Sequence, residues 1–184
     1  MAEWKKEIID TSARFTETSA DNYISDSAAI TQELAGLRIF EKPLIAYSSA
    51  DDPLFSRLKD YNIIGRHFIL PGEWLNDAET VISFFLPFTE QIRKSNKINF
   101  SWPSDEWLHG RIEGQVFVNR LANHIKELLI EAGYKSIVPS TDSRFIANTD
   151  NPSRSKYKQA GTSVPAFSSN WSERHAAYIC GLGT

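Results

Sequence analysis

SSNWSERHAAYICGLGT, Ser168 to Thr184, closes the chain and carries its most organised local code. Asn170 stands where an N-cap would, with Glu173 three residues on, the spacing of a capping box that satisfies otherwise orphan amide donors. The pattern predicts a helix from about Trp171 to Cys180, ended by Gly181 in a left-handed cap. Gly181 and Gly183 on either side of Leu182 let backbone come close to something, a packed element or a ligand. A compact domain seldom ends one residue after such a turn. The chain therefore reads as the front part of a longer protein, a single N-terminal domain over residues 1–184.

Upstream of that helix, Pro139 to Asn170 is polar, rich in Ser, Thr, Asn and Pro, and almost without periodicity. Such a stretch inside a domain is usually a functional or solvated loop. Arg154, Lys156 and Lys158 make a basic patch in it, able to meet an acidic group such as a phosphate. Before it, Trp107 to about Ala132 is the longest predicted helix, opened by Ser104-Asp105-Glu106. Phe117, Leu121, Ile125, Leu128 and Leu129 recur at helical spacing on it. Gly110 and Gly114 weaken its first turns and suggest close approach of a neighbour. His109 and His124 read as helix-surface residues. Tyr134 to Val138 reads as a strand.

The segment Thr80 to Phe88 is nearly continuous apolar sequence with β-branched and aromatic residues, which predicts a strand buried on both faces and closed by Pro87. Leu44 to Tyr47 suits another short strand. Asp52 before Pro53 is placed to cap a short helix reaching about Tyr61. Thr89 to Lys94 predicts a further short helix. At the start of the chain, Trp4, Ile8, Ile9, Ala13 and Phe15 share one side of a helix. A second helix is predicted from Asp21-Asn22-Tyr23 to about Leu34, stopped by Gly36. The fold class expected is mixed α/β (α+β), a central mixed sheet flanked by helices.

Composition narrows the function classes. The 184 residues are 41% hydrophobic and 12% aromatic, enough for a proper core and too apolar for a disordered chain. A net charge of −3 and a pI near 5.8 give no support to nucleic acid as a partner. No apolar run approaches a membrane span and the N-terminus lacks an apolar signal core, so a membrane partner is not expected and a cytoplasmic location is. Cys180 is the single cysteine. An iron–sulfur cluster needs about four thiolates, so none is held by cysteines of this chain, and no metal ligand set is predicted. Cys180 and His175 lie five residues apart on one helix, about 140° apart around its axis, so they do not form a nucleophile–base pair.

The residues Arg174, Ala177, Tyr178, Gly181, Leu182 and Gly183, in the pattern R-x-x-A-Y-x-x-G-L-G, resemble a stretch shared by epoxyqueuosine reductases and reductive-dehalogenase-like proteins. The longer string S-E-R-H-A-A-Y-x-x-G-L-G-T is similar to a branch of iron–sulfur cluster-binding, epoxyqueuosine-reductase-like proteins. The resemblance implies a cobalamin-binding domain related to the flavin-binding nitroreductase scaffold. It also implies a ferredoxin-like segment with two [4Fe–4S] clusters after the Gly-Leu-Gly turn, beyond this chain, as a partner for the domain. The apolar strand introduced by Asp77-Ala78 matches the family's central strand. Gly110-Arg111 with Arg120-Leu121 is a partial match to the family's corresponding helix, where Ile112, Glu113 and Gly114 replace an aromatic and a histidine.

The resemblance implies cofactor-binding roles for Arg111, Arg174, His175, Gly181, Leu182 and Gly183, with Glu113 as a weaker candidate beside Arg111. Family members carry an aspartate as proton donor just before the Glu/Asp-Arg pair. Here, seven positions before Arg174 is Phe167, and no acid lies between Ser168 and Ser172. Asp142 is the one displaced equivalent. Tyr178 is a second candidate acid, although core packing with a satisfied hydroxyl is its first reading. The expected function is the cofactor-binding domain of a cobalamin-dependent reductase of unknown small-molecule or modified-nucleoside substrate. The alternatives are a non-catalytic binding or scaffold module and a flavin-binding reductase domain.

Overall fold

The computed structural model describes residues 3–147 and 168–183. Among them the fold is mixed α+β, with six helices and one small sheet of two antiparallel strands. The helices are α1 (Glu3–Thr18), α2 (Pro53–Arg57), α3 (Pro71–Trp74), α4 (Glu90–Ser95), α5 (Asp105–Glu131) and α6 (Glu173–Ile179). The strands are β1 (Leu44–Ser49) and β2 (Thr80–Phe85). The chain forms two compact units: residues 1–44 with 85–134, and residues 45–84 with 135–184.

In the first unit α1 packs on α5. Residues spaced by one helical turn, Ile8, Ser12 and Thr16, form the buried stripe of α1. Two of them are small, which lets α5 come close, and the Thr16 hydroxyl is satisfied by donating to the Ser12 carbonyl at 2.8 Å. Phe15 adds its ring at the edge of the stripe, stacked 4.3 Å from His124 and 5.9 Å from Phe117. Helix α5 starts at Ser104, whose hydroxyl accepts from the Trp107 amide, and Asp105 and Glu106 complement the dipole of its first turn. Its buried positions are His109, Gly110, Gly114, Phe117, Leu121 and Ile125, one continuous face.

The two glycines on that face are there because aromatic rings lie on them. A Cβ at Gly110 would sit 2.6 Å from the Phe88 ring, and one at Gly114 would sit 2.9 Å from the Phe40 ring. Phe40 and Phe88 stack at 5.1 Å, and their residues pair through an isolated antiparallel bridge. The buried Asn22 locks this arrangement. Its amide donates to the carbonyls of Thr16 and Phe40 and accepts from the Phe40 amide.

The second unit has an aromatic core of Phe55, Leu58, Ile64, Phe68, Trp74, Trp171 and Ala176. Asp52 caps α2 by accepting from the Leu54 amide at 2.9 Å. Glu73 of α3 accepts from the Leu70 amide and from Lys59, which holds its carboxyl below the usual range.

Several sequence expectations change here. Residues 80–85 form a strand, but its interior is half-buried rather than covered on both faces, and among the described residues its sheet has two strands. Tyr134 to Val138 makes no ladder. Residues 21–34 form no α-helix. Two short 3-10 turns, Ala20–Asn22 and Gln32–Leu34, flank a loop closed by the Ile24–Leu37 and Gly36–Ile24 backbone bonds. His109 is not a surface residue but 3% exposed, accepting from the Ile30 amide through Nε2 and bonded to Glu113 through Nδ1. His124 is half-buried against Phe15. Burial is the main cause that lowers its pKa.

Candidate functional site

Helix α6 and the turn after it are anchored from below by Trp171, Ala176 and Cys180, all buried. Trp171 stacks on Phe68 at 5.6 Å and on Phe55 at 6.2 Å, and meets Trp74 edge-on at 6.4 Å. Rings of this size remove on the order of 200 Å² each from water, so the start of α6 is the best-held part of the stretch. The Cys180 thiol donates toward the Ser48 hydroxyl at 3.4 Å and the Val81 carbonyl at 3.7 Å, which fastens the end of α6 to β1 and β2. Burial pushes its pKa up, so it behaves as a packed neutral thiol.

The N-cap of α6 differs from the expected one. Ser172 occupies it, and its hydroxyl is bonded to His175 Nδ1 at 2.7 Å rather than capping an amide. Asn170 is instead a buried cross-link: it accepts from the Ile146 amide through Oδ1 and donates to the Arg144 carbonyl through Nδ2. Its own carbonyl accepts from the Ile69 amide. Three separate segments meet at this one residue, through its side chain and its main-chain carbonyl.

The predicted left-handed cap is present. Gly181 has φ +87°, its amide bonds the Tyr178 carbonyl at 2.9 Å, and the Leu182 amide bonds the Ala177 carbonyl at 2.8 Å. These two bonds are the paired set of a Schellman closure, which satisfies the last carbonyls of α6. Arg174, Tyr178 and Gly181 follow at four and three residues, so they share one face, and all three are exposed. Tyr178 is 57% exposed rather than packed, and among the described residues its hydroxyl has no hydrogen-bond partner. Among the described residues a Cβ at Gly181 or Gly183 would meet nothing within 4 Å, so none of them fills the space over the turn.

The remaining candidates stand apart from this strip in kind. Asp142 accepts from the Arg144 amide at 2.9 Å and from its guanidinium Nε at 2.8 Å. The guanidinium also donates to the carbonyls of Glu73 and Trp74 and lies 4.9 Å over the Trp74 ring. Arg144 holds the Asp142 carboxyl below the usual aspartate range. A carboxyl kept ionised in this way serves as an acceptor and structural anchor, and its proton is hard to supply at neutral pH. Arg111, in the other unit, is exposed with its guanidinium 5.8 Å from the Trp107 ring, and Glu113 is engaged by His109. The basic residues Arg154, Lys156 and Lys158 lie outside the described residues.

Among the described residues no three His, Cys, Asp or Glu side chains converge to hold a metal ion. A shallow recess of water size in the first unit is lined by Thr16, Glu17, Arg38, Phe40 and Lys42, none of them a candidate residue. Sequence reasoning missed the structural roles of Asn22, Asn170 and His109, all of them buried polar groups whose partners are distant in sequence. No protein-family profile, curated protein or solved structure matches this chain.

Proposed function

We propose that this chain is the cofactor-binding domain of an iron–sulfur redox protein, a cobalamin-dependent reductase of the epoxyqueuosine-reductase-like kind. One observation carries the reading: the R-x-x-A-Y-x-x-G-L-G stretch forms a helix whose exposed Arg174–Tyr178–Gly181 strip runs into an open, Schellman-closed turn. The two glycines leave backbone bare where a flat macrocycle would have to approach closely. In this reading Arg174, His175 and the backbone of Gly181, Leu182 and Gly183 hold the cofactor. Cobalamin, when bound, supplies a strongly reducing metal centre fed by electrons from clusters on another segment. The chain's own part is to position and to exclude water. Tyr178 presents the one hydroxyl on the strip that can deliver a proton, and Ser172 fixes the His175 ring through Nδ1.

Anaerobic titration of the chain with cobalamin, followed by the corrin absorption bands, tests this. A spectral change saturating at one equivalent is expected, weakened by Arg174→Ala. An unchanged spectrum overturns the reading.

One observation favours a second, non-catalytic reading as a binding or scaffold module for the iron–sulfur segment. Asp142 is locked to Arg144, and no acid lies between Ser168 and Ser172, so the proton-donor position of the resembled family is without a poised acid. Binding of that segment by a Tyr178→Phe variant, with turnover absent in both forms, would favour the scaffold.

A further inference from the structure

We infer that the loop between α4 and α5 attaches the protein to anionic lipid surfaces through its apolar tip. Ile98, Phe100 and Trp102 are 83%, 98% and 75% exposed within five residues. Together they present on the order of 500 Å² of apolar surface, a size at which surface patches are often functional. A loop with no partner has no physical reason to concentrate its three largest apolar side chains at maximal exposure.

The loop is built to hold that display. Its neck is closed by the Ser104 amide donating to Asn96 Oδ1 at 3.1 Å and by the Ser95–Ser104 hydroxyl pair at 3.0 Å. At the tip, Asn99 Oδ1 accepts from the amides of Ser101 and Trp102 at 2.8 and 3.3 Å. Lys97 and Ile98 amides are taken by the Lys94 and Ser95 carbonyls. Backbone donors already satisfied within the loop lower the cost of moving it out of water, which is the main obstacle to inserting irregular backbone among lipids.

Charge selects lipid as the occupant. In a chain of net charge −3, the stretch from Gln91 to Ser104 holds Arg93, Lys94 and Lys97 and no acid. Lys94 also pairs with Glu90 at 2.9 Å, an exposed contact of little strength, and Asp105 and Glu106 beyond the neck answer the α5 dipole. Cations beside a tip of Trp, Phe and Ile match a headgroup layer, where Trp prefers to lie and each basic residue adds attraction to anionic lipid. Phe100 stands almost wholly clear of its own protein. A bilayer surface takes up such a convex tip without a complementary cavity.

Cosedimentation with phosphatidylcholine vesicles, with and without phosphatidylserine, tests the inference. The protein is expected to bind the phosphatidylserine vesicles and to be released by salt. The variant Ile98→Ser/Phe100→Ser/Trp102→Ser should lose affinity by about a hundredfold or more, and Lys97→Glu by about tenfold, with unchanged circular dichroism. Absence of binding to either vesicle, or equal binding by the tip variant, overturns the inference. So does a dimer in the ultracentrifuge that the tip variant dissolves while vesicles capture nothing, which would assign the tip to a contact between copies.

Discussion

Gly114→Ala sets two effects of opposite sign against each other on α5. Alanine in a helix interior is favoured over glycine by about 1 kcal/mol. The new Cβ, however, would stand 2.9 and 3.1 Å from two atoms of the Phe40 ring, where carbon atoms need about 3.5 Å or more. The ring must therefore recede by roughly half an ångström. It has little room to do so, because Phe40 is buried and stacked on one side by Phe88 at 5.1 Å and on another by Phe117 at 5.9 Å. Overpacking of this kind costs about 1–3 kcal/mol, and a ring held by two neighbours belongs in the upper half of that range, about 2–3 kcal/mol, so the net loss after the helix gain should be about 1–2 kcal/mol. Urea unfolding followed by tryptophan fluorescence measures it; thermal midpoints should fall by about 2–4 °C per kcal/mol. In a Phe40→Leu background the clash disappears and Gly114→Ala should become neutral or stabilising, giving a coupling energy of about 1 kcal/mol or more. A Gly114→Ala protein as stable as the parent, or an additive double mutant, would refute the account of why glycine stands there.

Asn170→Ala should lower stability by about 2–3 kcal/mol in the same urea assay, because it leaves the Ile146 amide and the Arg144 carbonyl without the side-chain partner. Burial lowers the His124 pKa, so its contribution to stability is full above the ordinary histidine value and is lost as pH falls below it. Thermal midpoints measured from pH 8 down to about pH 5 should fall, and His124→Phe should flatten that slope. Cys180 should react with iodoacetamide slower by about a hundredfold or more in the native protein than in urea, as its raised pKa and burial require. Its linkage has the opposite sign: stability falls as pH rises through the native thiol pKa. Fast alkylation of the native protein would contradict the packing of α6 on the strands.

What the sequence made legible follows the range over which each residue acts. Ser104 and Asp52 cap helices through amides two or three residues away, and both were readable. The same holds for Gly181, whose left-handed turn is a local event, and for Gly110 and Gly114, whose cost in a helix announced a close neighbour without naming it. Asn22 and Asn170 deceived because asparagine is a good cap and an equally good cross-link. Their actual partners, Phe40 and Ile146, lie 18 and 24 residues away, and spacing along the chain carries no trace of them. His109 misled similarly: a histidine on a helix reads as a surface residue, while its Nε2 accepts from the Ile30 amide, 79 residues away. Thr80 to Phe85 has strand composition, but whether a strand is covered on both faces depends on how many neighbours it finds. The exposed strip on α6 was visible as a pattern. That Tyr178 faces outward was not, because helical spacing alone does not say which side is buried.

Residues 147 and 169 are joined by an antiparallel bridge, reinforced by the Asn170–Ile146 bonds. This makes the two ends of the intervening sequence neighbours before a single residue between them is considered. For ends held in this way, an added flexible segment costs only loop-closure entropy, about 0.6 kcal/mol for each doubling of its length. The Ala147–Ser169 bridge thus marks a junction at which an added segment would leave and re-enter the fold at one point.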